Sequence, residues 1–150
     1  MFLVTGQPGI GHPLTLHHFA EPDPQSGKSV FLIWLLMERL ALGLPTALQT
    51  ERNVALLFHD GGVTKFQNLD DPIHCEGSRF PTSSPAGRIW VLVDSNQRLF
   101  EPVPIFLMRG GPFFVVEAAS PCEERLDWAN KVLAELFHME TWSFTEVLQL

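Results

Sequence analysis

Several glycines and a Lys-Ser pair in the first thirty positions have the residue types that bind phosphate. They are Gly6, Gly9, Gly11, Gly27, Lys28 and Ser29. Glycine lets consecutive backbone N–H groups wrap a phosphate, while a lysine ammonium reaches its terminal oxygens and a serine hydroxyl binds Mg²⁺. These residue types therefore predict a site for a magnesium-bound nucleotide.

The spacing departs from the phosphate-binding loop, or P-loop, in which G-x-x-x-x-G-K-[ST] stands between a strand and a helix. Residues 12–27 separate Gly11 from Lys28, and without them the chain reads LVTGQPGIGKSVFLIWLL, a complete motif. The longer loop costs the fold only about 1–1.5 kcal/mol of closure entropy. The phosphate cradle, however, needs its N–H groups to lead straight into the lysine. We expect the insertion, whether genuine or a translated intron, to impair nucleotide binding more than folding.

A second candidate metal ligand is Asp94, which ends the apolar run 89–93. In P-loop enzymes an Asp ending a neighbouring strand helps to hold Mg²⁺, although such an Asp also caps turns. Asp60 ends an apolar run as well, but the Gly-Gly pair after it predicts a hairpin turn. The sequence therefore predicts Ser29 and Asp94 as the metal-binding residues.

The residues that would act on the terminal phosphate are less well defined. Many ATPases place a water-activating carboxylate directly after the metal-binding Asp, and here that position holds Ser95. Glu117, near the end of the next apolar strand, is a weaker candidate. Ser120 and Arg125 follow that strand and are candidates to contact phosphate, although Arg125 has neighbouring carboxylates with which it would pair.

Local patterns predict the elements that position these residues. Short apolar runs predict strands at residues 2–5, 46–49, 89–93 and 113–118, and a hairpin at 54–66. Helices are expected from Gly27 to the break at Gly43, with most of this helix buried, over 123–137 with one apolar face, and from Trp142 onward. Residues 12–27 and 67–87 predict loops.

Alternating strands and helices indicate one α/β domain with a mainly parallel sheet flanked by helices, of the P-loop type and incomplete at its C-terminus. The composition, 45% hydrophobic and 18% charged, is that of a globular domain. A net charge of -7 offers no broad basic surface to nucleic acid. The longest apolar run, residues 30–37, is too short to cross a membrane, and no secretory signal is visible, so a cytoplasmic or nuclear location is expected. The histidines and two cysteines show no zinc-binding spacing.

The run LVTGQPGIG…KSVFLIWLLMERLALGLPTALQ resembles the P-loop region of Crinkler-type and retrotransposon-hot-spot-like NTPases of fungi and related microbes. The segments RIWVLVDSNQ, FFVVEAASPCEERLDWANK and METWSFTEVLQL are similar to later parts of that family. The resemblance covers most of residues 1–11 and 28–150. It implies an AAA/STAND-type ATPase module with Lys28 and Ser29 on phosphate and Mg²⁺ and Asp94 on the metal. The chain departs from the family pattern at the insertion and at both ends.

The sequence thus predicts an ATP-binding module, impaired in hydrolysis, with ATP and Mg²⁺ as its ligands and no protein partner indicated. The alternative is a non-catalytic remnant that acts as an interaction or regulatory fragment, which the insertion and the Ser after Asp94 favour. A GTP-binding protein is disfavoured because the chain has no Asn-Lys-x-Asp motif for reading guanine.

Overall fold

The computed structural model describes residues 1–6, 27–69, 87–96, 98–120 and 123–139. Several predicted features lie outside these residues: Gly9, Gly11, all of the predicted loop 12–27 except Gly27, most of the predicted loop 67–87 and the helix predicted from Trp142. Within them, the chain forms one seven-stranded sheet with helical segments on both faces.

Six of the seven strands follow the segments that the sequence predicts as strands. They are β1 Phe2–Gly6, β2 Thr46–Glu51, β3 Val54–His59, β4 Gly62–Gln67, β5 Ile89–Asp94, β6 Phe113–Ala119 and β7 Glu135–Met139. Their order is β4-β3-β2-β5-β6-β1-β7. In this spatial order, all pairings in β2-β5-β6-β1-β7 are parallel, and the β4-β3 and β3-β2 pairings are antiparallel. The predicted α/β class is confirmed, with a mixed sheet that is parallel around its centre.

The described helical segments are divided between the two faces of the sheet. Helix α1, Gly27–Ala41, joins β1 to β2 and packs on the face that carries Val4, Leu92 and Val116. Helix α2, Glu123–Val132, and a 3-10 turn, Pro104–Leu107, cover the other face. Two hydrophobic cores result, one on each side of the sheet, as expected where crossover connections lie on both faces.

Helix α1 is less buried than its composition predicts. Its buried residues are Lys28, Leu32, Leu36 and Arg39. Trp34 is 53% exposed and Met37 is 65% exposed, although both lie in the long apolar run. The expectation that most of this helix is buried is therefore wrong, because the described residues contact it along one stripe, on the side that faces the sheet.

The segment predicted as the second half of α2 is a strand. The helix ends at Val132, and Leu133 takes a left-handed conformation with φ of 55°. The N–H of Ala134 then donates to the carbonyl of Ala129 at 2.9 Å, which closes the helix. The following residues pair in parallel with β1, and the Phe137 ring lies 5.1 Å from that of Phe2. Pairing with an open strand edge outweighs the helical periodicity that predicted a helix to residue 137.

Candidate functional site

Four of the predicted phosphate and metal residues, Gly6, Ser29, Asp94 and Ser120, lie at one edge of the sheet. Strands β1, β6 and β5 are parallel neighbours, and Val4, Ala118 and Asp94 lie side by side in their register. The carboxyl ends of these strands, at Gly6, Asp94 and just before Ser120, therefore lie at a common edge. Ligands of parallel sheets bind at this edge. Helix α1 also begins there, since Ser29 in its first turn contacts Asp94.

Ser29 and Asp94 are in direct contact. Side chains alternate along a strand, so Asp94 lies on the same face as Leu92, which is the face that packs against α1. The Ser29 hydroxyl donates a hydrogen bond to Oδ1 of Asp94 at 3.1 Å. Burial raises the pKa of the Asp94 carboxyl, and the Ser29 hydrogen bond and the nearby Lys28 charge oppose that rise. The structure thus brings Lys28, Ser29 and Asp94 together.

Serine, aspartate and lysine are residue types that bind Mg²⁺ and phosphate in proteins. A hydroxyl and a carboxylate oxygen in contact offer two hard oxygen donors, which Mg²⁺ prefers. Lys28 is 6% exposed and is the second residue of α1, so its ammonium adds a charge beside the partial positive end of the helix. The first turn of α1 carries no acidic residue that would repel an anion. Gly27, the first residue of the helix, is exposed.

The two residues predicted to contact the terminal phosphate have different locations. Ser120 directly follows β6, which lies between β1 and β5, so it is at the same edge as Asp94. The Arg125 guanidinium instead lies 5.5 Å from the centre of the Phe100 ring. Arg125 belongs to α2, on the face opposite α1, and the structure does not bring it to Ser29 and Asp94.

Glu117, the weaker candidate for activating water, is fully buried. It alternates with Val116 and Ala118, so its side chain lies on the face opposite α1. Burial raises the pKa of Glu117 to about 8, against opposing effects of nearby polar groups, the largest of which are from Ser95 and Trp128. Among the described residues, no group meets hydrogen-bonding geometry with either of its carboxyl oxygens. The carboxyl is therefore mostly protonated at pH 7, which does not suit a base.

Sequence reasoning missed a cleft at the same edge of the sheet, on the face opposite α1, which is lined by three charged residues and a phenylalanine. Arg52, Arg98, Phe100 and Glu101 line a cleft of about 360 Å³ that opens near the carboxyl ends of β2 and β5. Arg52 lies in the turn between β2 and β3, and the other three follow β5. No sequence motif joins these two turns, so no signal in the chain predicts that they meet.

No protein-family model matches the chain, and no curated protein or solved structure is significantly similar to it. Among the described residues, no helix is long and apolar enough to span a membrane.

Proposed function

We propose that this chain binds ATP together with Mg²⁺ at the carboxyl edge of β1, β6 and β5. The observation that carries the proposal is the 3.1 Å hydrogen bond between Ser29 and Asp94 beside the buried Lys28. In P-loop proteins a serine hydroxyl and a strand-end carboxylate hold one Mg²⁺ between them, and the preceding lysine contacts the phosphates. The three groups needed for this chemistry come from two distant parts of the sequence.

Binding without efficient hydrolysis fits the surroundings of this site best. The residue after Asp94 is Ser95, whose hydroxyl donates to the carbonyl of Leu99 at 2.9 Å. Glu117 holds its proton on the other face of the sheet. Among the described residues, neither supplies a carboxylate base at the edge where a terminal phosphate would lie. The proposed activity is therefore that of a nucleotide-binding module with slow or no turnover.

Calorimetry with Mg·ATP tests this proposal on three proteins: the chain as it stands, a form that lacks residues 12–27, and Lys28→Ala in that deleted form. We expect the deleted form to bind ATP, and to bind it more tightly than the full chain, because the deletion restores the complete motif. Lys28→Ala should abolish binding. Thermal unfolding provides an independent measurement, since ATP at a hundredfold excess over Kd stabilises the folded state by about 2.7 kcal/mol.

The outcomes separate the two functions that the sequence left open. Binding by the deleted form alone would show that the phosphate loop is genuine and that the insertion disables it. Binding by both forms would direct attention to hydrolysis. If neither form binds, the nucleotide proposal fails and a role as an interaction fragment takes its place.

A further inference from the structure

A cleft at the carboxyl edge of β2 and β5, on the face of the sheet opposite α1, has two walls from separate turns. One wall carries Arg52, in the turn between β2 and β3, and the other is formed by residues 98–104 after β5. Because β2 and β5 are parallel neighbours, both walls lie at the same edge of the sheet as Ser29 and Asp94. The cleft volume of about 360 Å³ is within the range of small-molecule sites, roughly 300–1,000 Å³.

A single buried side chain fastens the two walls together. Gln49 is 0% exposed, and its amide nitrogen donates to the carbonyls of Glu51 at 3.2 Å and Arg52 at 3.1 Å. Its amide oxygen accepts from the N–H of Val103 at 3.4 Å, across the cleft. Burying an amide is costly unless it is hydrogen-bonded. These three bonds therefore stabilise the side chain and hold the walls in register.

The turn that carries Arg98 is fixed in the same way. The side-chain amide of Asn96 donates to the carbonyls of Thr50 at 3.0 Å and Asp94 at 3.1 Å, so it joins β2 to β5. Its oxygen accepts from the N–H groups of Arg98 at 2.9 Å and Leu99 at 3.2 Å. These hydrogen bonds preorganise the cleft and join its second wall to the backbone of Asp94. Preorganisation lowers the entropic cost of binding a ligand.

The residues of the cleft define the ligand that it fits. Two arginines in one cleft are distinctive in a chain of net charge -7, and guanidinium groups bind phosphate and carboxylate oxygens in pairs. Glu101 in the lining would accept a hydrogen bond from a hydroxyl or amine. Phe100 is 46% exposed and offers an apolar surface. We propose that the cleft binds a second ligand, a small molecule that carries a phosphate or carboxylate group and a hydrogen-bond donor.

We call this ligand the second one because the nucleotide site proposed above would hold the first. Binding of a ligand to the cleft can be tested separately. We would titrate the ¹⁵N-labelled Lys28→Ala protein with inorganic phosphate and, in parallel, with acetate, and follow the backbone amide signals of Arg52, Leu99 and Phe100 by NMR. Lys28→Ala removes the main phosphate contact at the start of α1. We expect saturable shifts at these three amides, and the tighter of the two anions identifies the anionic group of the natural ligand.

Matched arginine variants decide whether the cleft is responsible. Arg52→Ala and Arg98→Ala should each weaken anion binding about tenfold or more, which corresponds to the loss of one bidentate contact. Arg109→Ala, which removes the same charge from an exposed position just before β6, at the opposite edge, should leave it unchanged. Shifts that persist in both cleft variants, or no saturable shift with either anion, would overturn the proposal.

The wild-type chain provides a second route in case Lys28→Ala does not fold. In it, the amides of Gly27 and Ser29 report on the nucleotide site, while those of Arg52 and Phe100 report on the cleft. A cleft that responds to phosphate while the start of α1 is silent to Mg·ATP would retain this proposal, and the same silence in the form that lacks residues 12–27 would refute the nucleotide proposal. If the start of α1 responds to Mg·ATP while the cleft is silent to phosphate, only the cleft proposal is refuted.

Discussion

The Ser29 hydroxyl donates to Oδ1 of Asp94 at 3.1 Å, and this bond joins the first turn of α1 to the end of β5 across 65 residues of sequence. The contact depends on the strand order, because α1 must begin at the same edge at which β5 ends. Lys28, the residue before Ser29, adds a positive charge that lowers the pKa of Asp94 against the larger effect of burial. The Ser29–Asp94 contact is therefore produced by the tertiary fold and not by a local turn.

Ser29→Ala should separate the contribution of the metal from that of the phosphate. The alanine removes the hydroxyl that we propose as a magnesium ligand and leaves the Lys28 charge and the N-terminus of α1 in place. We expect ATP affinity in the presence of Mg²⁺ to fall about tenfold or more, and affinity in EDTA to change little. Calorimetry under both conditions measures this difference in the form that lacks residues 12–27, and Ser29→Thr, which keeps the hydroxyl, is the control. If Ser29→Ala binds ATP in Mg²⁺ as tightly as the same form with Ser29 does, the result counts against a metal at this site.

Acid should weaken the binding of Mg·ATP through Asp94. Mg²⁺ binds the ionised carboxylate, and burial raises the pKa of Asp94 above its ordinary value. Protonation therefore competes with the metal at a higher pH than it does for an exposed Asp, so affinity falls as pH decreases through that raised pKa. The measurement is ATP affinity against pH at fixed Mg²⁺. Asp94→Asn reports the pH dependence that comes from the nucleotide itself. Identical profiles of affinity against pH for this variant and the unsubstituted protein would refute the assignment of Asp94 as a metal ligand.

The parts of the fold that sequence predicted were those determined by local patterns. The apolar run that ends at Asp94 and the Lys28-Ser29 pair each have a recognisable local context, and both elements form as expected. Strand β7 was missed because its residues continue the helical periodicity of α2, and only its pairing with β1 makes it a strand.

The cleft was missed for a related reason. Arg52 and Arg98 come from different turns, and the buried Gln49 that holds these turns together has no local signature. Trp34 shows the opposite failure, because it lies in a long apolar run that predicted burial and is nevertheless exposed. An apolar run predicts hydrophobic surface, but only the packing determines which side of a helix another element covers.

Glu117 should make the protein less stable as the pH rises. Its pKa is about 8 in the folded chain and near 4.5 in an unfolded one, so between these values the folded state keeps a proton that the unfolded state releases. Stability therefore falls as pH rises, and the group costs about 3 kcal/mol at pH 7. Urea denaturation from pH 5 to 8 should show that Glu117→Gln flattens this decline, while Glu38→Gln, at an exposed carboxyl on α1, does not. If the stability of Glu117→Gln falls with pH as steeply as that of the wild-type chain, groups other than Glu117 cause the decline.

Arg39 should stabilise the fold through its planar guanidinium and not only through its charge. It is 9% exposed, its Nε donates to the Thr46 hydroxyl at 2.9 Å, and its guanidinium carbon lies 4.4 Å from the centre of the Trp90 ring. Lysine keeps the charge but loses both the directed hydrogen bond and the stacking. We expect Arg39→Lys to lower the free energy of unfolding by about 1–2 kcal/mol. Arg109→Lys, at an exposed site, should change it by less than about 0.5 kcal/mol. Urea denaturation measures both, and equal stabilities would show that α1 is held to β5 by its apolar contacts alone.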